Sequence, residues 1–102
     1  EEERRLRTNW SVQAARDADE IWTFIAFDNP DAADRVVARF HAALLTLSEQ
    51  PMMGRRGRTR GTREFAISGT PYILIYEVCN EALEVRRVIH GARDWPPKRR
   101  RA

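Results

Sequence analysis

Apolar residues recur at helical spacing twice in the first half of the chain. Ala14, Ala18, Ile21, Trp22 and Ile25 stand at i, i+4, i+7, i+8 and i+11, with Arg16, Asp19, Glu20 and Thr23 off the stripe. This pattern predicts a helix over 11–27, with Ser11 as its N-cap. Asp28-Asn29-Pro30 combines a stop and a restart, because Asn29 can cap a second helix and Pro30 fits its first turn, where no N–H is needed. The second stripe, Ala33, Val36, Val37, Phe40, Leu44 and Leu47, ends before Pro51. So tight a link implies an antiparallel helical hairpin. Ahead of it, Leu6 to Trp10 reads as a short strand.

The pattern changes after Pro51. From Met52 to Thr62 there is no periodicity, only Gly54, Gly57 and Gly61 interleaved with Arg55, Arg56, Arg58 and Arg60, which predicts a basic loop. Three strand-like runs follow, Arg63 to Ile67, Tyr72 to Cys79 and Leu83 to His90, the last two joined as a hairpin across Asn80-Glu81-Ala82. In the middle run both alternating sets are apolar, Tyr72, Leu74, Tyr76 and Val78 against Ile73 and Ile75, as in a central strand covered on both sides. The helices cover one face, and the other is expected to await a partner. The predicted class is α+β: an N-terminal strand and an antiparallel helical hairpin packed on a small, mainly antiparallel sheet. Residues 1–102 form one domain, with 1–5 and 97–102 as flexible tails.

The 102 residues leave room for one domain. No apolar run approaches the ~20 residues of a membrane helix, and no basic-then-apolar leader opens the chain, so a soluble, cytoplasmic protein without a membrane partner is expected. Cys79 is the lone cysteine and, with His41 and His90, falls short of the four ligands of a structural zinc site; no metal and no cofactor are expected. Charge changes the picture more. Residues 1–51 hold six arginines against ten acids, whereas 52–102 hold twelve basic residues against five acids, so the halves carry −4 and +7. Seventeen of the eighteen basic residues are arginine, whose planar fork suits phosphate and carboxylate, and an anionic partner for the second half follows.

Metal-free cleavage of RNA needs a base for the 2′-hydroxyl, an acid for the leaving oxygen and cations for the phosphorane. His90 is the histidine near the basic segments. Alternation along its strand puts it on one face with Arg86 and Val88, and Arg93 lies just beyond; Glu64, Tyr72 and Tyr76 are supporting candidates. The plainer alternative makes His90 a turn anchor and pairs Arg93 with Asp94 or stacks it on Trp95. The arginine loop is either a phosphate-contacting surface or a solvated loop, and its glycines do not connect a strand to a helix as phosphate-binding loops require. Trp10, Trp22, Tyr72 and Tyr76 read as core, which leaves Trp95 as the aromatic free for a partner.

Several segments, in order, carry a resemblance: Asp28-Asn29-Pro30-Asp31-Ala32-Ala33, Gly61-Thr62-Arg63-Glu64, Gly69-Thr70-Pro71-Tyr72, Tyr76, and Val88-Ile89-His90-Gly91-Ala92-Arg93-Asp94-Trp95-Pro96. Together they resemble the RelE/ParE superfamily of bacterial type II toxins across nearly the whole chain. The resemblance implies a small toxin neutralised by a cognate antitoxin, in a hetero-oligomer where the antitoxin wraps the toxin with a helix and an extended strand. RelE-like members cut messenger RNA on the ribosome with sheet lysines and arginines. Glu64, Ala66 and Ile73 stand here where those cations are wanted, while Arg93 matches the catalytic arginine. ParE-like members inhibit DNA gyrase, and their last strand ends as Ile89-His90-Gly91-Ala92-Arg93-Asp94 does here. The resemblance thus favours a gyrase-binding toxin that docks through Arg55, Arg56, Arg58, Arg60, Arg63, Arg93 and Trp95. The alternative is a ribosome-dependent endoribonuclease using His90, Arg93 and Arg86.

Overall fold

A computed structural model describes residues 5–91. Strand β1 (Arg7–Trp10) leads into helices α1 (Val12–Asp28) and α2 (Pro30–Glu49), followed by β2 (Arg55–Arg56), β3 (Arg63–Ala66), β4 (Tyr72–Cys79) and β5 (Ala82–His90). The five strands form one sheet in the order β1-β5-β4-β3-β2, with β1 parallel to β5 and every other pair antiparallel. The α+β class read from the pattern is therefore the observed one. Arg93, Trp95 and the two proposed tails, apart from Arg5, lie outside the described residues.

Local chemistry explains the helical hairpin. The Ser11 hydroxyl accepts from Ala14 N at 2.9 Å and donates to Arg86 O at 2.9 Å, so the cap that starts α1 also fastens it to β5. Asn29 serves both helices. Its N–H donates to Ile25 O at 2.9 Å, and its side-chain oxygen accepts from Ala32 N at 3.1 Å, with Pro30 opening α2.

Ala14, Phe40, Ala43, Leu47, Leu74, Tyr76, Leu83, Val85 and Val88 form the core between the hairpin and the sheet, and Ala18, Ile21, Ile25, Val36, Leu44 and Phe65 pack against it. The buried stripe is narrower than the pattern predicts. Trp22 is 44% exposed, because at about 100° per residue it lies roughly 80° around α1 from Ala14, beyond the edge of the contact. Val37 and Trp10 are likewise exposed, so neither tryptophan belongs to the core.

The second face of the sheet differs from expectation in one respect. Ile75 is 0% and Ile89 1% exposed, so part of this face is buried within the chain itself, while Ile73 is half-buried and lines an open cavity with Arg55 and Glu64. Ile75 sits in register between Glu64 and Arg87. A β-bulge lies just beyond it: Ile75 pairs with Arg87 but Tyr76 with Val85, leaving Arg86 unmatched.

Asn80 and Glu81 form the two-residue turn between β4 and β5, with φ of 51° and 61°. Both central positions are left-handed, as the hairpin twist requires, and Glu81 bears the steric cost of its Cβ there. Glu81→Gly is expected to stabilise the protein by about 0.5–1 kcal/mol, read as a raised thermal unfolding midpoint.

Candidate functional site

The arginine-rich segment folds around one carboxylate. Glu64 on β3 is 3% exposed; its Oε1 accepts from Arg55 Nη2 at 3.0 Å and Arg58 Nη2 at 3.2 Å, and its Oε2 from Arg58 N at 3.0 Å and Arg58 Nε at 3.3 Å. Burial pushes its carboxyl up, but the hydrogen bonds from the Arg58 side chain and backbone and from Arg55 outweigh this and hold it below the usual glutamate range. Ionised and fully engaged, Glu64 organises the loop and is no general acid. The predicted loop accordingly contains strand β2, whose Arg55 and Arg56 face Glu64 and Arg63 across the ladder. Alternation was hidden there by a run of like residues, and the available signal was the cross-strand Arg55 and Glu64 pair.

A second tether fixes the start of this segment. The buried Tyr76 hydroxyl donates to Pro51 O at 2.7 Å and accepts from Gly54 N at 3.0 Å, which removes Tyr76 from the catalytic candidates. A Cβ on Gly54 would lie 2.5 Å from that hydroxyl, so the close approach requires glycine. Arg63 then donates through Nη1 to Gly54 O at 2.7 Å.

Of the predicted contact arginines, Arg55, Arg58 and Arg63 thus combine a structural bond with partial exposure. Arg56 and Arg60 are exposed and, among the described residues, have no carboxylate partner. Trp95 lies outside the described residues, whereas Phe24 and Phe27, late on α1, are 78% and 89% exposed.

Arg86 and His90, the proposed catalytic residues among those described, do not share one face. Arg86 meets Glu77 at 3.4 Å, on the side of the sheet that carries Ile73 and Ile75. His90 pairs with Tyr72 in register and approaches its ring edge-on at 5.6 Å between centroids, on the helix side. The bulge at Arg86 shifts the alternation on which the joint placement of His90, Val88 and Arg86 depended. Tyr72 is itself packed edge-on against Phe40.

The pattern reading missed Asp17, a buried carboxylate on α1. It accepts from Arg87 Nε at 2.7 Å and Nη2 at 3.2 Å, from Val88 N at 2.9 Å and from Gln13 Nε2 at 3.2 Å. Burial raises its pKa, but these bonds, the Arg87 guanidinium first, hold it below the ordinary aspartate value. Since β1 ends opposite Val85, Asp17 takes up an N–H that β5 presents beyond the ladder and so braces the strand end that bears His90. Its signal was an acid three residues after Ala14 and four before Ile21, inside the apolar stripe.

With this geometry in view, the comparison with known proteins is decisive. The family model described as ParE toxin of type II toxin-antitoxin system, parDE, matches residues 8–95. The chain belongs to the ParE toxin family. The putative toxin Y4kP of Sinorhizobium fredii is 42% identical over 92 residues, covering 90% of this chain and 95% of that protein. Toxin RelE1 of Caulobacter vibrioides is 34% identical over 84 residues, covering 79% and 88%. Among solved structures, the chromosomal ParDE system of P. aeruginosa superposes with a TM-score of 0.74 at 19% identity, over 85% of this chain and 97% of that one. The RelBE2 toxin-antitoxin complex of Mycobacterium tuberculosis gives 0.60 at 24%, over 84% and 98%. The protein is thus a type II toxin of the RelE/ParE superfamily, with its fold of two helices on a five-stranded sheet.

Two measurements check the ionic anchors of this ParE-family toxin. Asp17→Asn is expected to lower stability by about 2–3 kcal/mol in denaturant unfolding, because it removes a buried charge that accepts from Arg87 and from Val88 N. For Glu64 the folded pKa lies below an unfolded value near 4.5. Its contribution is therefore fully present above that value and is lost as pH falls through the folded pKa. The stability gap between wild type and Glu64→Gln should be about 1–2 kcal/mol at pH 7 and close progressively under acid; a gap that is constant down the acid limb contradicts the assignment.

Proposed function

We propose that this toxin arrests growth as ParE-like proteins do, by binding DNA gyrase without turnover of its own, and that a cognate antitoxin neutralises it in a hetero-oligomer in the cytoplasm. The observation that carries this reading is the ParE family match over residues 8–95. Geometry adds support: Arg86 and His90 face opposite sides of the sheet, while Glu64 and Tyr76 are committed to fixing the loop. The arginine rim supplies a cationic docking surface, to which the terminal Arg93 and Trp95 are assigned on the family resemblance. Exposed Phe24 and Phe27 offer an apolar surface suited to a protein partner, and the neighbours of similar fold come from ParDE and RelBE toxin-antitoxin systems.

One specific observation favours the second reading, a ribosome-dependent endoribonuclease acting on mRNA: relatives at 34% and 32% identity are named RelE1 and RelE2. The two readings separate when purified toxin is assayed in parallel against gyrase supercoiling and against programmed ribosomes. Inhibited supercoiling with intact message is expected; cleaved message with unaffected supercoiling overturns the gyrase reading. In the same series His90→Ala is expected to weaken growth arrest only mildly, and Arg93→Ala strongly.

A further inference from the structure

The segment from Arg55 to Glu64 contains five arginines and one acid, a net charge of +4 in ten residues. Arg55 and Arg58 share that acid. The remaining three, Arg56, Arg60 and Arg63, line an open cavity of ≈ 380 Å³ together with Gly57, Gly61 and Thr62. Among the described residues no carboxylate lines it. Arg56 and Arg63 are moreover direct cross-strand partners, a placement in which like charges repel and destabilise the ladder. The fold maintains this arrangement by construction. Gly57 N donates to Thr62 O at 2.7 Å, and Gly57 packs so closely on the Thr62 side chain that a Cβ would collide with its hydroxyl. Gly61 holds φ +86°, the left-handed turn that closes the loop. Arg63 is held in place by its bond to Gly54 O.

We infer that this cavity is an anion site for a backbone phosphate of a nucleic acid, held between Arg56, Arg60 and Arg63. An anion there offsets the repulsion that the empty arrangement sustains, and guanidinium forks match phosphate oxygens in geometry and charge. Among the described residues the lining offers guanidinium groups and no aromatic ring or side-chain amide, so the recognition inferred is of the phosphodiester and is independent of sequence. The inference rests on the reading that the arginine rim faces the target, and it adds a nucleic-acid contact that gyrase binding by itself does not require.

The test uses the full chain freed of antitoxin and follows anisotropy of labelled duplex DNA and of labelled single-stranded RNA over a salt series. Arg56→Gln/Arg60→Gln, and Arg60→Gln alone, are compared with an Arg7→Gln/Arg35→Gln control away from the cavity. The double variant should bind the preferred nucleic acid about tenfold more weakly at low salt, and its log–log salt slope should fall by about 2, while the control changes neither. Inorganic phosphate, against chloride at matched ionic strength, should raise the unfolding midpoint of wild type more than that of the double variant. The variant itself should unfold no earlier than wild type in chloride, since a repulsion has been removed. Unchanged affinity and slope overturn the inference. So does selective loss of antitoxin affinity with nucleic-acid binding intact, which assigns the cavity to a protein carboxylate. The wild-type supercoiling assay judges the gyrase reading separately, so failure of one is distinguishable from failure of the other.

Discussion

A single buried carboxylate has to serve a segment that brings five arginines into ten residues, and the rest of the rim follows from how it does so. Glu64 is desolvated, and a lone charge in such a place would be costly; two guanidinium groups and a backbone N–H remove that cost. Arg55 and Arg58 are committed to Glu64, although their side chains stay 69% and 48% exposed. Arg56, Arg60 and Arg63 line one cavity beside a loop whose path is set by glycines at 54, 57 and 61. Arginines that hold Glu64 and arginines that line the cavity therefore alternate in the same short stretch, and Arg63 both lines the cavity and bonds to Gly54 O.

The helical layer is joined to the sheet by polar bonds as well as by apolar contact. Ser11 links the start of α1 to the backbone of β5 at Arg86, and Asp17, a turn and a half later, links it again at Arg87 and Val88. These anchors flank the bulge, where the strand's own ladder is irregular. Hydrophobic burial supplies the drive to pack the hairpin against the sheet, and directional hydrogen bonds then select the position of α1 along β5. On the far face, Ile75 and Ile89 are buried within the chain and Ile73 is half-buried. This corrects the picture of a bare sheet awaiting cover.

Much of the architecture was legible in the sequence because its signals are local. Asn29-Pro30 marks a helix end and a helix start within two residues, and the run from Tyr72 to Val78, apolar on both alternating sets, describes a central strand. The Ser11 cap follows from its position before the first stripe. What escaped depended on distant partners. Trp22 satisfies the spacing yet falls beyond the edge of contact, which only the placement of the sheet decides. Asp17 and Glu64 look like ordinary surface acids until the arginines that meet them, 70 residues away in one case, are located. The division of Arg86 from His90 rests on one unmatched residue in β5, a change of register that no composition reveals. The arginine segment is cationic by composition, but which of its members a carboxylate engages could not be read without placing Glu64.

Tyr76 spans from the sheet's central strand to the backbone just before β2, and Gly54 admits no larger side chain beneath it. The loop's course is thereby pinned from inside the core instead of by the groups it displays. Side chains at 56 and 60 contribute nothing to that pinning. A lineage can rewrite them, adding or removing charge to suit a different quarry, while the scaffold keeps its shape; novelty at the rim is decoupled from the ability to fold.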